Sequence, residues 1–123
     1  MRTVQFKVGE NVFSADVAEN PITRARGLSG RDSMARDAAM LFIFPVPWRY
    51  SFWMKDMKFP LDMIWIRKGR VADITSGMPV PAPRQSLFTL PAFKPTTAVD
   101  AALEINAGLA GELSIRIGDK VEW

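Results

Sequence analysis

Apolar residues recur at every second position in two separate stretches of this chain, and that period leaves room for little besides β-strands. Val4, Phe6 and Val8 alternate with Thr3, Gln5 and Lys7; Val99, Ala101, Leu103 and Ile105 alternate with Asp100, Ala102, Glu104 and Asn106. A spacing of two sends the two sets to opposite faces of a pleated strand, whereas a helix needs spacings of three and four. Gly9-Glu10-Asn11 supplies turn chemistry between the first strand and a second over residues 12–17, which reads as a β-hairpin. Further strands are expected at residues 40–44, 51–54, 63–67 and 71–75, with a tight turn at Lys68-Gly69 and a last short strand ending at Trp123.

Helical signals are few. Asn20-Pro21 pairs an N-cap residue with proline at the first helical position, and Gly27 and Gly30 keep that helix short. One more helical turn is expected at residues 109–113. Prolines 79, 81, 83, 91 and 95 mark a long loop that holds an edge strand near residues 87–90. The expected product is one domain over residues 1–123, mainly β. It is a mostly antiparallel barrel or sandwich-like sheet with one or two short helices, α+β being the alternative.

Composition narrows the chemistry. The 123 residues contain no cysteine and no histidine. Thiol nucleophiles, disulfides, histidine bases and the usual zinc or haem ligand sets are therefore excluded, and no cofactor or metal is expected. Sixteen basic and 13 acidic residues give a net charge of +3, too small and too scattered to argue for nucleic acid. No apolar run approaches the ~18 residues of a membrane-spanning helix. The chain opens almost directly on a strand pattern, so no signal peptide is expected.

The candidate site lies in residues 52–66, Phe-Trp-Met-Lys-Asp-Met-Lys-Phe-Pro-Leu-Asp-Met-Ile-Trp-Ile, where Lys55, Asp56, Lys58 and Asp62 interrupt core-like sequence. Charges in such a run imply a pocket or a paired internal network. In the first case Trp53 and Met63 floor a pocket in which Lys55 and Asp56 orient a polar ligand; in the second, Asp62 braces a turn. Glu104 and Asn106 share one strand face and could line the same pocket. Asp62 and Glu104 would be the acid–base pair of a carboxylate-based hydrolase, against the alternative of Glu104 paired with an arginine. Arg26 and Arg31 bracket a glycine-containing turn and suit either an anionic ligand or internal ion pairs to Asp62 or Glu104. Gly27 and Gly30 lack the strand-to-helix context of a nucleotide loop.

Several blocks carry a resemblance: Arg26-Gly27-Leu28-Ser29-Gly30-Arg31, Ala39-Met40-Leu41-Phe42-Ile43-Phe44, Phe52-Trp53-Met54-Lys55-Asp56, Pro60-Leu61-Asp62-Met63-Ile64, Leu103-Glu104-Ile105-Asn106-Ala107-Gly108 and Gly118-Asp119. In order and spacing the chain resembles the bacterial and archaeal family catalogued as domain of unknown function 192. The resemblance implies a shared fold and pocket, no assigned activity, and an exported, periplasmic location, a cytoplasmic one being the alternative. This chain departs from the family pattern at Asp56, usually asparagine, at Met57, commonly threonine, and at Ala39, often glycine. The leading expectation is a small domain that binds a polar small molecule or a protein partner through Arg26, Arg31, Trp53, Lys55, Asp56, Glu104 and Asn106. The alternatives are the hydrolase built on Asp62 and Glu104 and a structural module with an internal charge brace.

Overall fold

A computed structural model describes residues 1–123. Seven strands form one curled, mixed sheet: β1 (Thr3–Val8), β2 (Asn11–Ala18), β3 (Ala38–Trp48), β4 (Leu61–Arg67), β5 (Arg70–Met78), β6 (Val99–Asn106) and β7 (Val121–Glu122). Their order across the sheet is β5-β4-β6-β3-β2-β1-β7, and only the β2–β3 pair is parallel. Parallel neighbours need a crossover. Here it runs from Glu19 to Asp37 and carries helix α1 (Pro21–Arg26). The segment before β7 links the two sheet edges at one end. Lys120 O accepts from Gly9 N at 3.0 Å, while Val71 N donates to Asp119 O and Val121 N to Gly69 O, both at 2.9 Å.

Alternation gives the sheet two apolar faces. Phe6, Val17, Leu41, Ile64, Leu103 and Ile105 pack inside the curl, closed off by Leu109 and Ala110 of α2 (Leu109–Glu112) and by Ile115. Met40, Phe42, Met63, Trp65 and Ala102 line the opposite face, beneath the crossover residue Leu28 and the loop residues Met54 and Met57. The buried methionines fill irregular gaps between aromatic rings, which suits an unbranched side chain. No helix is long and apolar enough to cross a membrane.

Helix α1 begins as the sequence implies: Asn20 Oδ1 accepts from Thr23 N at 2.9 Å, and Thr23 answers with its hydroxyl at the Asn20 N–H. Three expectations need correction. Residues 51–54 are not a strand but a loop held by one bridge, Phe52 to Phe93. Residues 87–90 form a 3-10 turn over Leu87–Thr89, not an edge strand; Ser86 caps it by accepting from Phe88 N. Strand β3 does not stop at Pro45 but continues to Trp48. Its pairing with β2 ends at Phe42, and the ladder to β6 is irregular after Ile43, so neither proline deprives a neighbour of a donor.

Candidate functional site

The two buried acids, Asp62 and Glu104, are one residue out of phase, and this separates them. Met63 pairs with Glu104 in the β4–β6 ladder, so Glu104 faces the methionine and aromatic side while Asp62 points into the curl. There Asp62 is fully buried, and its carboxyl accepts from Gly77 N at 2.8 Å and from Gly108 N and Ala110 N at 3.0 Å. Asp62 is a brace tying the end of β5 to the β6–α2 turn. The acid–base pair anticipated for Asp62 and Glu104 does not form: the two groups lie on opposite sides of the sheet, and Asp62 does not line the cavity that Glu104 borders.

Glu104 has a different setting. It is 6% exposed, its sheet neighbours are Met40 and Met63, and its carboxyl bonds to no protein group. Burial in these surroundings pushes the carboxyl up to about 8, because the charged form loses its water. It borders a cavity of about 310 Å³ walled by Phe42, Phe44, Tyr50, Phe52 and Trp53. The rings hold one another: Tyr50 stacks on Phe44 at 3.8 Å between centroids, and Phe52 meets the Phe42 ring edge-on at 4.9 Å.

The crossover forms the remaining wall. Arg24, Arg26, Gly27 and Ser29 reach the cavity from the last turn of α1 and the bend after it. This bend is fastened to the loop opposite: Ser29 Oγ donates to Lys55 O at 3.4 Å and Gly30 N to Asp56 O at 3.0 Å. Gly27 adopts φ 49°, ψ −131°, and a Cβ there would meet Phe42 Cζ at 3.2 Å. The positive φ favours glycine here, and the approach to Phe42 adds crowding for any larger residue. Arg24 is committed to the frame, donating to Glu19 O at 2.8 Å and Ile43 O at 3.1 Å. Arg26 and Lys55 are not committed: neither enters a salt bridge or a side-chain hydrogen bond, and Lys55 Nζ sits 5.7 Å from the Trp53 ring centroid.

Of the residues singled out from the sequence, Arg26, Trp53, Lys55 and Glu104 converge on the cavity; Arg31, Asp56 and Asn106 do not. Arg31 pairs at 3.4 Å with Asp16 on the half-exposed surface, not with Asp62 or Glu104. Asn106 donates to Met34 O at 2.8 Å and so anchors the end of the crossover. Asp56 is exposed at φ 60°, a left-handed conformation that asparagine and aspartate tolerate better than other side chains. That backbone requirement accounts for either residue at this position. Arg24 and the rings of Phe42, Phe44, Tyr50 and Phe52 belong to the wall but read in the sequence as surface and core. Only Phe42 and Phe44, which share the parity of the buried Met40 on β3, offered a signal.

Residues 4–123 match the model of the family described as Uncharacterized ACR, DUF192. The chain belongs to DUF192. No curated protein matches it. A crystal structure of a protein of unknown function from Novosphingobium aromaticivorans superposes with a TM-score of 0.86 at 32% identity, over 98% of this chain and 85% of that one. A second, described as a putative transcription regulator from Sinorhizobium meliloti, gives 0.85 at 27% identity, over 98% and 93%. These likenesses agree with the curled seven-stranded sheet of this DUF192 chain and attach no activity to it.

Proposed function

We propose that this DUF192 domain binds a small organic molecule in the cavity between α1, β3 and the loop from Tyr50 to Met57. The observation that carries the reading is Glu104, a residue 6% exposed whose carboxyl bonds to no protein group and opens on an aromatic-walled space. An acid with so little exposure and no protein partner is satisfied from the cavity side, by water or by a polar group of a ligand. A cavity of about 310 Å³ is close to the lower bound of small-molecule sites and about twice the ~150 Å³ that holds one benzene. It therefore suits one ring with a short substituent. The mixture of rings with a few convergent polar groups is the usual make-up of such sites.

Thermal unfolding with phenol or indole tests this reading, in the parent and in Ser51→Trp, which puts bulk into the cavity from an exposed lining position. At ten times its dissociation constant a bound probe adds about 1.4 kcal/mol, a rise of roughly 5 °C in Tm for a domain of this size. The rise should saturate in the parent and vanish in the variant. An equal rise in both proteins, or none in either, would refute cavity binding.

A further inference from the structure

On the reading that this cavity is a binding site, we infer that its ligand is a small organic acid. It carries one carboxylate that meets Arg26 and Lys55 at the mouth and a hydroxyl or carbonyl oxygen that meets Glu104 at the floor. The charges of the lining carry the inference. Arg24, Arg26, Lys55 and Glu104 are its charged or titratable side chains apart from the phenol of Tyr50, whose hydroxyl already donates to Val46 O at 2.6 Å. Arg24 is spent on two backbone carbonyls, while Arg26 and Lys55 have no hydrogen-bonding or anionic partner, Lys55 lying only over the Trp53 ring. Two unpaired cations on the rim of a half-enclosed, ring-walled space set up a field that an anion offsets, and guanidinium in particular fits a carboxylate with paired donors.

Glu104 does not cancel those cations. Burial pushes its carboxyl up to about 8, which favours the protonated form at neutral pH, and as an O–H and C=O pair it is a partner for a hydroxyl or carbonyl. The same arrangement argues against an ammonium at the floor, since an amine would have to pass two cations. It also argues for a single negative charge over a phosphate dianion. No helix N-terminus contributes to the lining, so the cavity lacks the array of free backbone N–H groups that suits a phosphate.

Calorimetric titration of the whole chain with five related probes tests the inference: para-hydroxyphenylacetate, phenylacetate, phenylacetamide, phenethylamine and phenyl phosphate. The hydroxylated acid should bind tightest, phenylacetate next, the neutral amide roughly tenfold more weakly than phenylacetate, and the amine not measurably. Arg26→Gln and Lys55→Gln should each cost the acids roughly tenfold and leave the amide within about twofold, because the exposed or half-buried positions alter charge without altering the fold. Glu104→Leu should erase the advantage of the para-hydroxyl, and Glu104→Gln, which still donates and accepts, should retain most of it. Amide binding equal to that of phenylacetate, or preference for the amine or the phosphate, overturns the organic-acid assignment while leaving the cavity reading intact. Failure of all five probes at millimolar concentration, with phenol and indole also unbound, overturns both.

Discussion

Replacing Glu104 with glutamine should remove most of the pH dependence of this protein's stability between pH 5 and 8. In the folded chain the carboxyl titrates near 8; its ordinary value is 4.5. Between those limits the folded state keeps a proton that the unfolded state has lost. The stability that Glu104 contributes is therefore full below pH 4.5, falls as pH rises through the window, and levels off above about 8. Every tenfold gain in the carboxyl's proton affinity on folding corresponds to about 1.4 kcal/mol, so the whole fall approaches ~5 kcal/mol as a ceiling, which water drawn to the carboxylate would lower. Glutamine keeps the volume and the neutral polarity of the protonated acid. At pH 5 the two proteins should unfold at similar urea concentrations, and at pH 9 the variant should be the more stable by several kcal/mol. The chain is well suited to this comparison because it has no histidine and no cysteine, so little else titrates across the window. Urea unfolding of both proteins at successive pH values from 5 to 9 measures the difference, in which titrations common to both cancel. Parallel stability curves over that range would show that Glu104 is ionised and solvated in the fold, and would remove the neutral floor from the site.

Two further substitutions probe the frame. Asp62→Ala strands the N–H groups of Gly77, Gly108 and Ala110, and should cost at least ~3 kcal/mol in chemical denaturation; a loss below ~1 kcal/mol would contradict the brace. Gly27→Ala introduces a Cβ 3.2 Å from Phe42 Cζ at a backbone conformation that glycine alone adopts readily, and should cost ~1–3 kcal/mol in urea unfolding. An unchanged or raised midpoint would mean that the bend is not fixed against Phe42.

Much of the sheet was legible from residue alternation and turn chemistry. Val4, Phe6 and Val8 are the inward set of β1 or its half-buried margin, and the alternation at Val99–Asn106 outweighed alanines that favour helix. What the alternation could not supply was register between strands distant in sequence. Asp62 and Glu104 each sit in a recognisable strand, yet whether they face each other depends on Met63 standing opposite Glu104, which neither strand encodes alone. The prolines of β3 misled for a related reason. Proline forbids a ladder bond only where the neighbouring strand asks for one, and β2 has already left the β3 edge before Pro45. Lys55 was recognisable as a charge in core-like sequence and Arg26 as one end of a glycine-containing turn; their meeting across the cavity follows from the crossover docking on the loop at Lys55 and Asp56.

The parallel pairing of β2 with β3 separates two tasks along the chain. The crossover from Glu19 to Asp37 adds no strand to the sheet and pairs only lightly with it, yet it supplies Arg24, Arg26, Gly27 and Ser29 to the cavity wall. Exchanging that segment between family members would transplant one side of the cavity while the ladder, the Asp62 brace and the Glu104 floor stay as they are. A fold built this way can diversify what it recognises by rewriting one connection, and chimeras across this family offer a direct route to mapping specificity without rebuilding the core.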